Sequence, residues 1–117
     1  MSTATAPNFA IVGGKIVHSI VFGGIEECMG VVRAAYLAHG AGRSVNPNSY
    51  FLRFPHRPTA RIIALPSYLG DAFDVAGLKW IASFPENVAS GLPRASAVLV
   101  LNDCANGYPF ACLEASI

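Results

Sequence analysis

This sequence contains few charged residues. Only 13% of its 117 residues are Asp, Glu, Lys or Arg, the net charge is +1, and no basic run occurs. A nucleic-acid-binding surface needs clustered Lys and Arg, so no nucleic-acid partner is expected. Apolar residues make up 53%. This excess argues against disorder and indicates that a partner subunit or a further domain covers part of the apolar surface.

The sequence also lacks the features of a membrane-spanning or secreted protein. Its most apolar stretch, FAIVGGKIVHSIVFGGI at 9–25, is interrupted by Lys15, His18 and two glycine pairs, and is too broken to span a bilayer. Residues 1–8, expected to be a flexible N-terminus, carry none of the basic residues of a secretion signal. We therefore predict a cytoplasmic protein without a membrane partner.

Motifs of metal and phosphate chemistry are missing too. Cys28, Cys104 and Cys112 are odd in number and have no metal-ligand spacing, so they are predicted to be reduced, mostly buried thiols. The three histidines are scattered, and no metal site is expected. There is no glycine-rich phosphate loop and no G-x-S-x-G. A function must therefore be sought in other residues.

The spacing of apolar residues predicts an α+β domain with a mostly antiparallel sheet and one main helix. Residues 9–22 are predicted as two short strands with a turn at Gly13-Gly14, and a helical period predicts a helix over about 24–40. Five strands are predicted at 49–54, 60–66, 75–84, 94–102 and 109–117, the first two ending at Pro55 and Pro66. A loop or short helical turn follows 84, and Asn106-Gly107 predicts a turn. Short connections favour antiparallel pairing, with the helix covering one face.

Four cationic residues lie in or beside these apolar strands: Arg53, Arg61, Lys79 and Arg94. Strand lysines and arginines usually lie on a solvated face or extend past apolar neighbours. Lys79 departs from that pattern, because both alternating faces of the strand in AGLKWIASFPEN (76–87) are at least partly apolar. A lysine there pairs with a buried acid or lines a cleft, where desolvation lowers its pKa and suits it to proton transfer or anion binding.

Arg53 has a similar setting, since YFLRFP surrounds it with aromatic residues and no acid is near in sequence. A guanidinium can hold a carboxylate through two parallel hydrogen bonds. Arg53 and Lys79 together would suit a small anionic metabolite. Arg57 is expected to be solvated, and Arg61, at the start of a strand, could be either solvated or functional.

Five segments resemble the N-terminal half of the ornithine cyclodeaminase/μ-crystallin family, closest to its 2,3-diaminopropionate (siderophore) branch: SYFLRFP, RIIALPSYLG, AGLKWIASFPEN, GLPRASAVLVLND and GYPFACLEASI. They occur in order and the similarity covers about 9–117. The resemblance implies a substrate-binding and dimerisation domain, incomplete here, whose NAD-binding Rossmann domain is absent. It also implies a homodimer, NAD as cofactor and a small anionic substrate derived from an amino acid. The chain is accordingly expected to be a truncated piece of a longer protein.

The resemblance also implies roles for three of the cationic residues. Arg53 matches the family arginine that holds the substrate carboxylate, and Lys79 the family lysine that binds the substrate and assists proton transfer. Arg94 stands where the ornithine enzyme has a small hydroxyl residue near the nicotinamide, so it could contact the substrate or the cofactor. A third cation suits a tricarboxylate and would repel the ammonium of ornithine.

Three functions remain open at this point. The first is the substrate-binding part of an NAD-dependent dehydrogenase that converts N-(1-amino-1-carboxy-2-ethyl)glutamate to 2,3-diaminopropionate and 2-oxoglutarate. The second is an ornithine cyclodeaminase or a ketimine or keto-acid reductase of the same family. The third is a non-catalytic dimerising or ligand-binding module, and we expect the 117-residue chain alone to be inactive.

Overall fold

A computed structural model describes residues 8–116 and shows a seven-stranded sheet. Two α-helices lie between its first and second strands along the chain. Residues 1–7 of the predicted flexible N-terminus lie outside the described range. The elements are β1 (Ala10–Val12), α1 (Gly14–Gly23), α2 (Ile25–Gly40), β2 (Ser44–Val45), β3 (Tyr50–Phe54), β4 (Arg57–Leu69), β5 (Val75–Ser83), a 3₁₀ helix (Pro85–Ser90), β6 (Ala95–Asp103) and β7 (Pro109–Glu114). The predicted α+β class is confirmed.

The sheet is antiparallel throughout its centre. Its order is β1-β7-β6-β5-β4-β2, and β3 pairs with the same edge of β4 as β2 does. Strands β3 to β7 succeed one another along the chain with short connections, which is why neighbours in sequence are neighbours in the sheet. The parallel exception is β1, which joins the far edge beside β7. All five strands predicted after residue 48 are present.

Strand β4 is longer than its sequence suggests. It was predicted to end at Pro66, but it continues to Leu69. On one side Pro66 lies opposite Leu78 of β5. On the other side it falls in the gap between β3, which pairs as far as Ala64, and β2, which pairs from Tyr68. A strand tolerates proline where the ladder does not need its missing N–H.

The prediction of two strands over 9–22 is wrong in its second half. Only Ala10–Val12 is a strand, and Gly14–Gly23 forms helix α1. The β-branched residues of KIVHSIVF suggested a strand, but Val17 and Val21 are four residues apart and are the half-buried positions. One turn of helix places such a pair on the same face, and that packing outweighs the local β propensity.

Helix α2 confirms the predicted helix over about 24–40, with Glu26 and Glu27 in its first turn, where the helix dipole favours negative charge. Its packing differs from the prediction. Ala38 is its only buried residue, and four members of the predicted apolar face remain exposed: Ile25, Met29, Val32 and Tyr36. The helices contact the sheet at β7 and β4, so they do not cover a whole face as expected.

The described residues enclose very little core. Ala38, Ala60 and Ala111 are the buried apolar residues among them, and no large side chain is fully buried. The cysteines were predicted to be mostly buried, which is wrong: Cys28 and Cys112 are half-buried and Cys104 is exposed. A sheet this open leaves apolar surface for other protein to cover. None of the helices within 8–116 is long and apolar enough to cross a membrane.

Two side-chain contacts hold the turn between β4 and β5. The guanidinium of Arg43 donates to Asp71 at 2.6 Å, and the hydroxyl of Tyr68 donates to Asp74 at 2.7 Å. Asp71 and Asp74 both have positive φ, of 54° and 41°, a conformation that aspartate tolerates better than most residues. The hydrogen bond to Asp74 raises the pKa of Tyr68 above 10.0, because a phenolate would lose the bond and face a carboxylate.

Candidate functional site

The strand register places three of the four cationic residues on one face of the sheet. Residues directly opposite one another in paired strands point to the same side. Arg61 of β4 lies opposite Arg53 of β3 and also opposite Ser83 of β5. Lys79 shares the face of Ser83, because alternate residues of β5 point the same way. We call this side, which carries Arg53, Arg61 and Lys79, the cationic face.

Arg53 and Arg61 share an aromatic neighbour. The guanidinium carbons lie 5.8 Å (Arg53) and 5.7 Å (Arg61) from the centre of the Phe51 ring. Phe51 is two residues before Arg53 and therefore on the same face. At such distances the ring attracts each cation weakly and holds it beside the apolar surface. The aromatic setting expected for Arg53 is therefore present, and it includes Arg61.

Arg94 precedes β6 and reaches the same region through a hydrogen bond. Its Nη1 donates to the hydroxyl of Ser83 at 2.8 Å. Ser83 is buried, with 7% of its surface exposed, so its hydroxyl offers a fixed acceptor. The carbonyl of Arg94 also accepts a hydrogen bond from Phe84 N–H at 2.8 Å, which closes the segment before β6. The Arg94 side chain is thereby directed toward Arg53 and Arg61, which lie in line with Ser83 across β3, β4 and β5.

Lys79 lies on the same face but apart from the arginines. It is four residues before Ser83, or about 13 Å along an extended strand, and an apolar row with Phe51, Ile63 and Ile81 lies between them. Lys79 lines an open pocket of about 350 Å³ with Leu65, Ser67, Leu69, Val75, Ala76, Gly77, Leu99 and Leu101. The expected desolvation is not present in the chain itself, because Lys79 is exposed.

None of these four cations has an acidic partner within the described range. The ion pair among residues 8–116 joins Arg43 to Asp71, away from the cationic face. Arg53 and Arg61 are like charges placed directly opposite, an arrangement that destabilises a sheet. A face with uncompensated guanidiniums and an amine has the chemistry to bind carboxylates.

Sequence reasoning missed two residues of this arrangement. The sequence does not decide whether Arg61 is solvated or functional, and it indicates no role for Ser83. The alternation of residues along β3 and β4 could show which face each occupies, but only the register of β4 against both neighbours places Arg61 between Arg53 and Ser83. Such pairings join residues distant in sequence, and no local pattern specifies them.

Within residues 8–116, the N-terminus of α1 does not suit the pyrophosphate of a dinucleotide. The one strand–glycine–helix passage, Val12 to Lys15, begins α1 beside a carboxylate: a Cβ on Gly14 would lie 3.4 Å from Glu114 Oε2. A negative charge at that helix N-terminus disfavours the pyrophosphate of a dinucleotide. Residues 8–116 also contain no group of three or more His, Cys, Asp or Glu side chains arranged for a metal ion.

Comparison with protein families matches residues 17–117 to the Ornithine cyclodeaminase/mu-crystallin family. Among curated proteins, N-((2S)-2-amino-2-carboxyethyl)-L-glutamate dehydrogenase of Staphylococcus aureus is 38% identical over 87 residues, covering 71% of this chain and 26% of the relative. Alanine dehydrogenase of Archaeoglobus fulgidus is 32% identical over 92 residues, covering 79% of this chain and 27% of the relative. The matched part of this chain thus spans about a quarter of the length of these relatives.

Solved structures have the same fold. An archaeal alanine dehydrogenase dimer with bound NAD matches 92% of this chain and 31% of its own, with a TM-score of 0.79 and 30% identity. The Δ1-pyrroline-2-carboxylate reductase of Thermococcus litoralis, in complex with NADH and L-proline, matches 92% of this chain and 32% of its own, with a TM-score of 0.82 and 25% identity.

Proposed function

This chain belongs to the ornithine cyclodeaminase/mu-crystallin family, and we propose on that premise that it is the substrate-binding part of an NAD-dependent oxidoreductase. Residues 9–117 would form an incomplete substrate-binding and dimerisation domain. The observation that carries the proposal is the cationic face, where Arg53, Arg61 and Lys79 have no acidic partner among the described residues. Similarity to enzymes of amino-acid metabolism supports it.

The substrate we propose is N-(1-amino-1-carboxy-2-ethyl)glutamate, the compound for which the Staphylococcus aureus relative is named. Hydride leaves the glutamate α-carbon and the nitrogen loses its proton, which gives an imine. Water adds to the imine, and the carbon–nitrogen bond breaks to release 2,3-diaminopropionate and 2-oxoglutarate. NAD, when bound in the complete enzyme, would accept this hydride.

Three residues of the chain take part in this proposal. Arg53 holds one substrate carboxylate through a two-pronged hydrogen bond. Lys79 binds a second polar group of the substrate and assists the proton transfers that accompany imine formation and hydrolysis. Arg94, held by Ser83, contributes a third positive charge near the substrate or the nicotinamide. The open pocket around Lys79 would need a covering domain to exclude water.

The cofactor is proposed to be held by protein outside this chain. This proposal is supported by the N-terminus of α1, where the Glu114 carboxylate lies beside Gly14 and would repel a pyrophosphate. NAD and NADH are bound in the two solved relatives, each about three times as long as this chain. In the complete enzyme, the role of residues 9–117 is therefore to position the substrate.

A substrate panel tests the proposal. The full-length protein that contains this chain is incubated with NAD and either the glutamate adduct, L-ornithine or L-alanine, and NADH formation is followed by its absorbance. A reductive arm uses NADH with Δ1-pyrroline-2-carboxylate. We expect NADH from the adduct, with kcat/KM at least about tenfold above that for the other substrates. Tenfold is about the smallest difference expected when one substrate makes a charge-assisted hydrogen bond that the others lack.

The alternatives make different predictions in the same panel. Release of ammonia and formation of proline from ornithine would favour cyclodeamination, and NADH consumption with the cyclic imine would favour a reductase such as the Thermococcus litoralis relative. Either result without adduct oxidation would disprove the proposed substrate. No turnover of any compound would favour the non-catalytic module.

We further propose that the enzyme is a homodimer and that the face opposite the cationic face lies in its interface. That face carries Trp80 and Val98, directly opposite one another and each 38% exposed. Exposed large apolar side chains in the middle of a sheet favour association, and a solved relative is a dimer.

The interface can be tested by introducing a charge. Val98→Asp in the full-length protein is expected to shift the mass measured by light scattering from dimer to monomer, because a carboxylate in an apolar interface is costly to desolvate. Val88→Asp, at a 65% exposed position of the 3₁₀ helix, is the control and should remain dimeric. A dimeric Val98→Asp protein would exclude this face as the interface.

A further inference from the structure

We propose that Arg61 and Arg94 form a second carboxylate subsite beside Arg53, which selects substrates with a second acidic arm. The proposal deepens the proposed function and rests on it, since it assigns the part of the site that recognises the glutamate side chain. Arg61 is the specificity-determining residue. Ser83 is a positioning residue that acts through Arg94.

The geometry brings three guanidinium groups to one end of the cationic face. Arg61 occupies the middle of a row, directly opposite Arg53 on one side and Ser83 on the other. Ser83 accepts the hydrogen bond from Arg94 Nη1 at 2.8 Å. The Arg94 side chain is therefore held by Ser83, which lies directly opposite Arg61 in the β4–β5 pair.

The charges of this row are uncompensated. Within 8–116, no carboxylate lies within ion-pair distance of Arg53, Arg61 or Arg94. Like charges directly opposite in a sheet repel, so the row costs stability unless an anion binds. Arg61 is half-buried, whereas Arg53 is exposed, and partial burial strengthens the attraction of Arg61 for a bound carboxylate.

A single carboxylate cannot form two-pronged hydrogen bonds with three guanidinium groups. Each guanidinium has a fork of donors that fits one carboxylate through two parallel hydrogen bonds. Arg53 is already assigned to one substrate carboxylate, so Arg61 and Arg94 remain for another. A ligand with two carboxylates a few bonds apart matches this row, whereas a ligand with a terminal ammonium group would be repelled.

Direct binding of a simple dicarboxylate tests the subsite independently of turnover. Glutarate and L-alanine are titrated by calorimetry into the full-length protein and into Arg61→Gln. We expect the glutarate Kd to rise about tenfold in the variant, the usual loss for a charge-assisted hydrogen bond. The Kd of L-alanine, which has one carboxylate, should change less than about twofold.

Arg33→Gln is the matched control, because Arg33 is an exposed arginine on α2, outside the sheet. It should leave both dissociation constants unchanged. An unchanged glutarate Kd in Arg61→Gln would overturn the proposal, as would an equal loss of L-alanine binding. If Arg61→Gln does not fold, Arg61→Lys replaces it; it should lose part of the glutarate affinity, and full affinity would overturn the two-pronged contact.

The role of Ser83 is tested by a double-mutant cycle. Arg94→Gln should weaken glutarate binding about tenfold in the native background, but by clearly less in a Ser83→Ala background, where Arg94 has lost its acceptor. Equal losses in both backgrounds would overturn the positioning role. If the adduct is not turned over but the variants lose glutarate binding as expected, the proposed reaction is wrong and the subsite proposal stands. If the adduct is turned over but the variants bind glutarate normally, the subsite proposal is wrong and the proposed reaction stands.

Discussion

Replacing Lys79 by alanine in the full-length protein is expected, under the proposed function, to lower kcat/KM for the glutamate adduct by about 10² to 10⁴-fold, which is the usual contribution of one acid–base group. Lys79 is the cationic side chain in the pocket of about 350 Å³ on the cationic face. The alanine variant removes both the ammonium and its proton. The rate of NADH formation, measured at several adduct concentrations, gives kcat and KM separately.

The split between kcat and KM distinguishes the two proposed roles of Lys79. A group that only binds substrate raises KM when removed, whereas a group that also moves a proton lowers kcat. We expect both parameters to change. Lys79→Arg should restore substrate binding more than kcat, because a guanidinium keeps the charge but does not release its proton near neutral pH.

Lys15→Ala is the control for this prediction. Lys15 is the other lysine of the chain and is exposed near the start of α1. Its removal should leave kcat/KM within about twofold of the native value, since surface substitutions away from special features have small effects. Normal turnover by Lys79→Ala would refute the assigned role, as would an equal loss in Lys15→Ala.

Gly77→Ala is expected to destabilise the fold by about 1–3 kcal/mol, the usual cost of overpacking. A Cβ on Gly77 would lie 2.6 Å from the carbonyl oxygen of Val100 and 3.2 Å from Leu101 Cδ2. The first contact is with backbone of the neighbouring strand, which moves only if β5 and β6 separate. Because Gly77 also lines the Lys79 pocket, a widened gap would displace that pocket.

The free energy of unfolding from urea titration of the full-length protein measures the effect. Gly30→Ala supplies the contrast, because Gly30 lies inside α2 with nothing within 4 Å of the added Cβ. Alanine there should stabilise by about 0.5–1 kcal/mol, through the smaller entropy loss of alanine in a helix. A Gly77→Ala protein as stable as the native one would show that the strands adjust without cost.

The elements of this chain were largely predictable because their signals are local. Helix α2 has a helical period with acids in its first turn, and the strands after residue 48 are bounded by proline, glycine and Asn106-Gly107. The errors occurred where tertiary contacts outweighed those signals. Pro66 does not end β4 because it lies in a gap between pairing strands, and Gly14–Gly23 is helical despite its β-branched residues.

The candidate site was predictable in part for the same reason. The charges of Arg53 and Lys79 within apolar strands are visible in the sequence, and so is the family resemblance, which the match over residues 17–117 confirms. The roles of Arg53, Lys79 and Arg94 stay predictions. The position of Arg61 between Arg53 and Ser83, and the hydrogen bond from Arg94 to Ser83, depend on strand register and could not be derived from local pattern.

The amino-acid sequence by itself determined the α+β class, most of the strands, the family and the presence of cations in apolar strands. Each of these depends on residue type and on spacing along the chain. Only the tertiary structure decided which cations share a face, that Lys79 is separated from the arginines by an apolar row, and that little of the apolar surface is buried within 8–116. Those properties depend on register and packing between residues far apart in sequence, where the energy of each pairing depends on the whole sheet.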